Sequence, residues 1–300
     1  MTHTLYFKNI SGDKNLTVLE KIYWLFICIL NYFYSFFLSI DNRCEIKDFK
    51  NSKKLRLTES NLSPARYLSD IFWHSLKWQN IKLALGGNLK ILEVGCGKGK
   101  YGFFFKKKLK NNLDNYLGID IKLRKEWRKT NKINFKVGNS DQVDQFIKSK
   151  NLIITQSAIE HFENDLIFFR KIYKTLNQKK KKIIQIHLMP SYSCLFTYFF
   201  HGYRHYNLKS ISQITKINKK NSNFEIYKLG SFSLNFFHFK NITLPELFKL
   251  RKKKRMKDRE YSKTLANKVD SLISTNQKTI FPSFYALVIF HNFKEKVNIK

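Results

Sequence analysis

The chain has 300 residues, 43% of them hydrophobic and 26% charged, which excludes wholesale disorder, a collagen-like repeat and a polytopic membrane protein. Lysine and arginine total 56 against 22 acidic residues, a net charge of +34 that invites a nucleic-acid or anionic-membrane partner. Yet 46 of those cations are lysine, 10 are arginine, and alanine occurs five times. Codon drift in an A+T-rich genome produces that skew whatever the protein does, and base recognition draws on the arginine fork. Nucleic acid is therefore a disfavoured partner. Cys28, Cys44, Cys96 and Cys194 lie far apart with no C-x-x-C pair, so neither a zinc site nor a secreted disulfide framework is expected, and a reducing, cytoplasmic compartment is the default.

Residues 1–60 read as an N-terminal extension. Ile22 to Ile40 carries no charge over 19 residues, borderline against the roughly 20 that span a bilayer, and no small-residue cleavage site follows it. Asn31, Ser35 and Ser39 share one helical face with Trp24 and Cys28. Such a polar stripe suits a helix packed on protein, lying in a membrane interface, or spanning; all three stay open. Asp41 to Asn61 is polar and reads as a linker. Ser63 then offers an N-cap and Pro64 a first helical residue. The helix they open carries Tyr67, Leu68, Ile71, Phe72 and Leu76 at helical spacing, and Gly86-Gly87 ends the segment.

From Leu89 to the C-terminus strand and helix signals alternate, the pattern of a parallel sheet covered by helices. Strands are expected at 89–94, 116–120, 133–137, 152–156 and 182–189. Helices are expected over 99–109 and through Phe168, Ile172 and Leu176. The runs 223–229 and 283–290 look like a hairpin-like pair of edge strands. Between them lies an insert, about 231–282, with Phe232, Phe236, Phe237 and Phe239 followed by the basic run Arg251 to Lys257. Cations clustered near an apolar anchor are one signature of anionic membranes; an anionic substrate or an RNA is the other reading.

The informative junction is Glu93-Val94-Gly95-Cys96-Gly97-Lys98-Gly99. Glycines let the chain turn off the strand and let a ligand approach the backbone. The spacing is G-x-G-x-G, and Glu93 would repel a phosphate but attract an ammonium or sulfonium. Asp120 ends the next strand 21 residues beyond Gly99, where a carboxylate can accept two ribose hydroxyls.

With these two features in order, the chain resembles the class I S-adenosylmethionine-dependent methyltransferases, over roughly Ser63 to Phe290. The resemblance implies a Rossmann-like α/β fold: a mostly parallel seven-stranded sheet, helices on both faces and a late antiparallel strand at 283–290. It implies S-adenosyl-L-methionine as cofactor, held by Glu93, Gly95, Cys96, Gly97, Gly99, Asp120 and Ile121. Asn139, Ser140 and Asp141 would border the adenine, and Gln156 and Ser157 would line the floor beneath the methyl. Residues 153–161, ending Ile159-Glu160-His161, look like the motif of small-molecule members that ends in Leu-Glu-His. They lack the Asp/Asn-Pro-Pro-Tyr of enzymes acting on exocyclic base nitrogens, and no cysteine follows a proline as in cytosine-C5 enzymes. Asn177-Gln178 and a lysine run replace the usual Pro-Gly-Gly before the fifth strand. His201-Gly202-Tyr203-Arg204-His205-Tyr206-Asn207-Leu208 is similar to a stretch of bacterial methyltransferases that includes ones associated with surface polysaccharide.

Transfer from a sulfonium is an in-line displacement that rests on positioning, and a hydroxyl acceptor also profits from a nearby base. His161 and His205 are the candidates for that base, with Glu160, Arg204 and Tyr206 as substrate contacts. Glu160 and His161 offer two ligands to a divalent ion, but no third stands at compelling spacing, so no metal is expected. The reading is O-methylation of a small or lipid-linked acceptor such as a sugar, with peripheral contact at the inner face of an anionic membrane. The alternative is an RNA or protein methyltransferase that grips its macromolecule through the basic insert.

Overall fold

The computed structural model of the chain describes residues 10–14, 16–50, 63–178, 181–197, 199, 201–218, 222–248, 259–275 and 279–300. The basic run 251–257 lies outside them. Thr17 caps the first helix, α1 (Val18–Ser35), in a capping box with Glu20, and β1 (Cys44–Asp48) follows. Ser63 accepts a hydrogen bond from the Arg66 amide at the start of α2 (Pro64–Ser75). Leu76 is extended and breaks the chain before the short α3 (Trp78–Ala84). Then β2 (Leu89–Val94), α4 (Lys100–Leu109), β3 (Leu113–Asp120), β4 (Ile133–Val137), α5 (Val143–Phe146), β5 (Leu152–Gln156), α6 (Asp165–Asn177) and β6 (Ile183–Pro190) alternate. The rest comprises α7 (Leu208–Ile217), β7 (Ser222–Leu229), α8 (Phe232–His238), α9 (Leu244–Leu247), α10 (Arg259–Thr275) and β8 (Phe284–His291).

The strands form one sheet in the order β1-β7-β8-β6-β5-β2-β3-β4. Neighbours run parallel except β8, which is antiparallel to both β6 and β7. Stripped of β1, this is the expected Rossmann-like class I methyltransferase sheet with its late antiparallel strand. The described sheet has eight strands where seven were expected, because part of the presumed linker, Cys44 to Asp48, pairs in register with Phe224 to Lys228. The runs expected as an edge hairpin do pair, from Ser222 against His291 to Leu229 against Phe284, but neither strand is an edge. Every residue of β8 is buried, so it needs neighbours on both sides and helices on both faces.

Alternation along the strands splits the core. Ile91, Tyr116 and Ile154 face one layer with Leu68, Phe72 and Trp73 of α2, Phe105 of α4 and Val269 of α10. Leu92, Ile119 and Ile153 face the other, with Phe168, Phe169 and Ile172 of α6 and Ile211 of α7. After β2 the chain moves outward through β3 and β4, then returns to lay β5 on the other side of β2. In open α/β sheets the crevice at such a reversal, outside the carboxyl ends of the strands, is where ligands bind.

The uncharged N-terminal run forms a helix that starts and ends earlier than expected. Its stripe of Trp24, Ile27, Cys28, Asn31 and Ser35 is the buried face. Trp24 Nε1 donates to Gly202 O at 2.9 Å, Tyr192 Oη to Cys28 O at 2.8 Å, and Asn207 Nδ2 to Ser35 Oγ at 2.7 Å. The helix is packed on protein through its polar stripe and turns Leu19, Ile22, Phe26 and Phe33 outward. Among the described residues no helix is long and apolar enough to cross a membrane.

Candidate active site

The crevice is built around the bend that leaves β2. Gly95, Gly97 and Gly99 have φ of +75°, +52° and +76°. A Cβ on Gly95 would stand 2.5 Å from Ala158 Cβ, and one on Gly99 2.5 Å from the Phe135 ring, whereas Gly97 faces open space. The outer glycines thus seat the loop on the turn after β5 and on β4, and the middle one leaves room above it. The Gly95 and Cys96 amides donate to Ile119 O, the Gly97 amide to Asp120 Oδ2 at 2.8 Å, and Trp127 Nε1 to Gly97 O at 2.8 Å. Cys96 is buried under the loop, and burial pushes its thiol far above the ordinary range.

Glu93 sits on the α2 side of the sheet, 1% exposed, and accepts a hydrogen bond from Tyr116 Oη. Burial, reinforced by the negative charge of Asp120, pushes its carboxyl up to about 8, against the opposing Tyr116 bond and Arg66 charge. Asp120 ends β3 at the loop, its Oδ1 accepting from the Lys122 amide at 3.2 Å. Ile121 beside it is 65% exposed. The Gly138 amide donates to Asp120 O at 2.9 Å, which brings the end of β4 alongside. There Asn139 caps a short turn in a capping box with Gln142, Ser140 is buried, and Asp141 is exposed.

At the end of β5, Gln156 is tied to α2: its Oε1 accepts from Trp73 Nε1 at 2.7 Å, and its Nε2 donates to Ser69 Oγ and Ser157 Oγ, each at 3.1 Å. Ser157 has φ of +45°, a left-handed conformation rare outside glycine and often found at functional sites. The turn Ile159–His161 follows. His161 Nδ1 stands 2.5 Å from Asp13 Oδ2. Burial works to lower the His161 pKa, but the Asp13 bond and the charges of Glu160, Asp13 and Asp120 outweigh it and raise it.

The structure separates the remaining candidates from this crevice. Arg204 is 3% exposed and committed to the chain itself, donating to Phe162 O at 2.9 Å and Glu163 O at 2.6 Å and pairing with Asp165 at 3.0 Å. Tyr206 Oη donates to Asp165 Oδ2 at 2.8 Å. Both were expected as substrate contacts; instead they clamp the entry to α6. His205 is buried edge-on against Trp24, and its pKa falls to about 3, first through burial and then through the charges of His201 and His161. It lines a cavity of about 30 Å³ with Asn31, Ser35 and Tyr192 that includes no residue of the glycine loop. The sequence does not show that Asp13 and His201 meet His161: they come from segments nearly 190 residues apart, and no local spacing joins them.

The sequence matches no protein-family model and no curated protein. Among solved structures the chain is similar to a SAM-dependent methyltransferase from Archaeoglobus fulgidus, with 14% identity over 76% of this chain and 94% of that one and a TM-score of 0.45. A plantazolicin methyltransferase in complex with SAH and a triazolic desmethylPZN analog is 16% identical over 77% and 86%, with a TM-score of 0.46. A Haemonchus contortus phosphoethanolamine N-methyltransferase in complex with phosphomonomethylethanolamine and S-adenosylhomocysteine is 15% identical over 71% and 52%, at 0.39.

Proposed function

We propose that the protein is an S-adenosyl-L-methionine-dependent methyltransferase acting on a small or lipid-linked acceptor, by O-methylation and with a sugar hydroxyl as the favoured group. One observation carries the reading. Two carboxyl groups, Glu93 behind the loop and Asp120 in front of it, flank a backbone bend whose central glycine faces open space. That donor set fits a ligand with a cationic sulfur and amine at one end and a ribose diol at the other.

When bound, the cofactor supplies an activated methyl: the carbon–sulfur bond breaks as the acceptor–carbon bond forms, the electron pair stays on sulfur, and the acceptor's proton leaves. The chain's own part is to bind and orient. Asp120 exchanges its bond to the Gly97 amide for the ribose hydroxyls, and Glu93 with the freed Gly97 amide holds the methionyl end. Ile121, an exposed apolar side chain beside that carboxylate, gives the adenine a face to cover, with Asn139, Ser140 and Asp141 at its border. Gln156, fixed by Trp73 and Ser69, and the strained Ser157 form the floor. Of the two histidines, His161 at the mouth is the one an acceptor can reach; His205 is a buried neutral ring that braces α1.

A lipid-linked acceptor is supported by the outward face of α1 and its continuation through Phe36 and Phe37, 87% exposed at the latter. Lys209 and Lys216 stand beside it, bonded to Phe36 O and to Ser39. Cations next to an apolar face suit an anionic bilayer surface.

Calorimetry with S-adenosylmethionine tests the core of the proposal. Saturable one-to-one binding is expected, weakened at least about tenfold in Asp120→Ala, since a hydrogen bond to a charged group contributes about 1.5–3 kcal/mol. No heat from well-folded protein would remove the reading.

A further inference from the structure

Three segments converge beside the acceptor end of the crevice. The turn after β5 contributes Glu160 and His161, the loop before α7 contributes His201, and the stretch preceding α1 contributes Asp13. Backbone contacts hold them there. The Tyr203 amide donates to Glu160 O at 2.7 Å and the Gly12 amide to Gly202 O at 2.8 Å. Gly202 has φ of +64°, and a Cβ on it would stand 2.5 Å from Glu160 O, so only glycine permits this approach.

The described side chains leave a buried carboxyl group without hydrogen bonds. Glu160 is 0% exposed, and neither of its carboxylate oxygens has a hydrogen-bond partner among the described residues. A carboxylate buried without a partner is strongly disfavoured. Its Oε1 stands 3.8 Å from His161 Nε2 and 3.7 Å from His201 Nε2, too far for hydrogen bonds. The two imidazoles meet edge to face with ring centroids 4.5 Å apart, and ligand atoms of Asp13, His161 and His201 lie within 4.8 Å of one another. Two ligand atoms at about 2.0–2.1 Å from one tetrahedral zinc stand roughly 3.4 Å apart, close to the two separations measured from Glu160 Oε1. Asp13 meets His161 on the other ring nitrogen, Nδ1. In a carboxylate–histidine–metal arrangement this contact would hold Nδ1–H on Asp13 and leave the Nε2 lone pair for an ion.

We propose that Glu160, His161 and His201 bind a divalent transition-metal cation of the zinc type, with Asp13 orienting His161. Two imidazoles and one carboxylate favour zinc, iron or cobalt over magnesium or calcium. Three protein ligands leave a position open, and His161 and His201 keep 28% and 36% of their side-chain surface exposed, so an oxygen ligand can reach it. In this arrangement His161 is a ligand and not a proton acceptor. Neither S-adenosylmethionine nor methyl transfer is needed for the cation to bind.

The test uses the full chain, stripped with a chelator and titrated with Co²⁺, whose visible absorption reports coordination, and with Zn²⁺ by calorimetry. One ion per chain is expected, with Zn²⁺ displacing Co²⁺. Glu160→Gln and His201→Ala should each weaken the affinity at least tenfold, Asp13→Asn about tenfold or more, and His74→Ala not at all. Asp13 is exposed, so its variant keeps the test alive if a buried substitution fails to fold. No stoichiometric binding, or equal affinity in the Asp13 and His201 variants, overturns the proposal. Binding of S-adenosylmethionine to the chelated protein is measured separately, so either idea can fail alone.

Discussion

Glu93 holds a carboxyl where water does not reach, next to a second acid. With its pKa pushed up to about 8, this carboxyl is mostly neutral at pH 7 when no cation meets it. The folded value lies above the unfolded one. This group therefore favours the folded chain fully below about pH 4.5 and loses that contribution as pH rises toward 8. A bound cation reverses the preference, because it stabilises the carboxylate. Association at pH 7 should therefore release a proton, and affinity for S-adenosylmethionine should rise from pH 6 to 8.5 and then level. Calorimetry in buffers of different ionisation enthalpy reads the proton directly. In Glu93→Gln the buffer dependence should vanish; if it persists, the proton comes from elsewhere and Glu93 does not meet the cation. Glu93 and Asp120 were legible in the sequence because each ends an apolar run, one at a glycine bend and the other at the following strand. The ring of Trp127, which holds Gly97 O, and the left-handed Ser157 were not. The first reaches the loop across 30 residues, and the second is a strain that sequence spacing does not encode.

At the scale of an element, α1 reverses the usual surface helix. Its polar stripe is inside, because Trp24, Ser35 and the Cys28 carbonyl find hydrogen-bonding partners on the body of the protein, and its greasy face is outside. The sequence periodicity located the stripe from Trp24 to Ser35, while Ser39 lies past the helix end and is exposed; it could not say which face the protein takes, since polar burial depends on partners more than 150 residues away. The same blindness hid β1. Cys44 and Ile46 alternate with Glu45 and Lys47, a period-two signal masked by the surrounding charge, and Lys47 pairs with Glu225 of β7 at 2.6 Å. The two faces of α1 make opposite predictions. Trp24→Ala should lower stability by about 3–5 kcal/mol, as for other buried tryptophans, read by urea unfolding. Phe26→Ser with Phe33→Ser should leave the unfolding midpoint nearly unchanged, as exposed substitutions do, yet reduce co-sedimentation with anionic vesicles severalfold. Equal vesicle binding by the double variant would mean that this face is not the contact.

At the scale of the whole molecule, the sheet carries a buried chain of polar side chains across four strands. Thr155 of β5 meets His187 Nδ1 at 3.0 Å, His187 Nε2 meets Gln185 Oε1 at 3.0 Å within β6, Gln185 meets His291 of β8 at 2.5 Å, and His291 Nδ1 meets Ser222 of β7 at 2.9 Å. The link from Gln185 Nε2 needs an unprotonated Nε2 on His291, because an amide nitrogen only donates. Burial lowers His187 to about 3, with the charge of His291 adding to it, and lowers His291 to about 4. Both values lie below the unfolded one near 6.5, so the stability these groups contribute is present above that pH and is lost as pH falls toward 3–4. His205, held near 3 under α1, adds a third group with the same sign. Each such histidine tilts stability by about 1.4 kcal/mol per pH unit below 6.5, and the net charge of +34 deepens the loss as carboxylates protonate. Unfolding in urea should therefore show a steep decline in stability between pH 6.5 and 4.5. His187→Gln keeps polar atoms in the chain but removes one titration, so its decline should be shallower by about one histidine's share, even if its stability at pH 7.5 is lower. A wild-type profile that stays flat over this interval would show that the imidazoles acquire protons without opening the sheet, and the network would then be no more than packing.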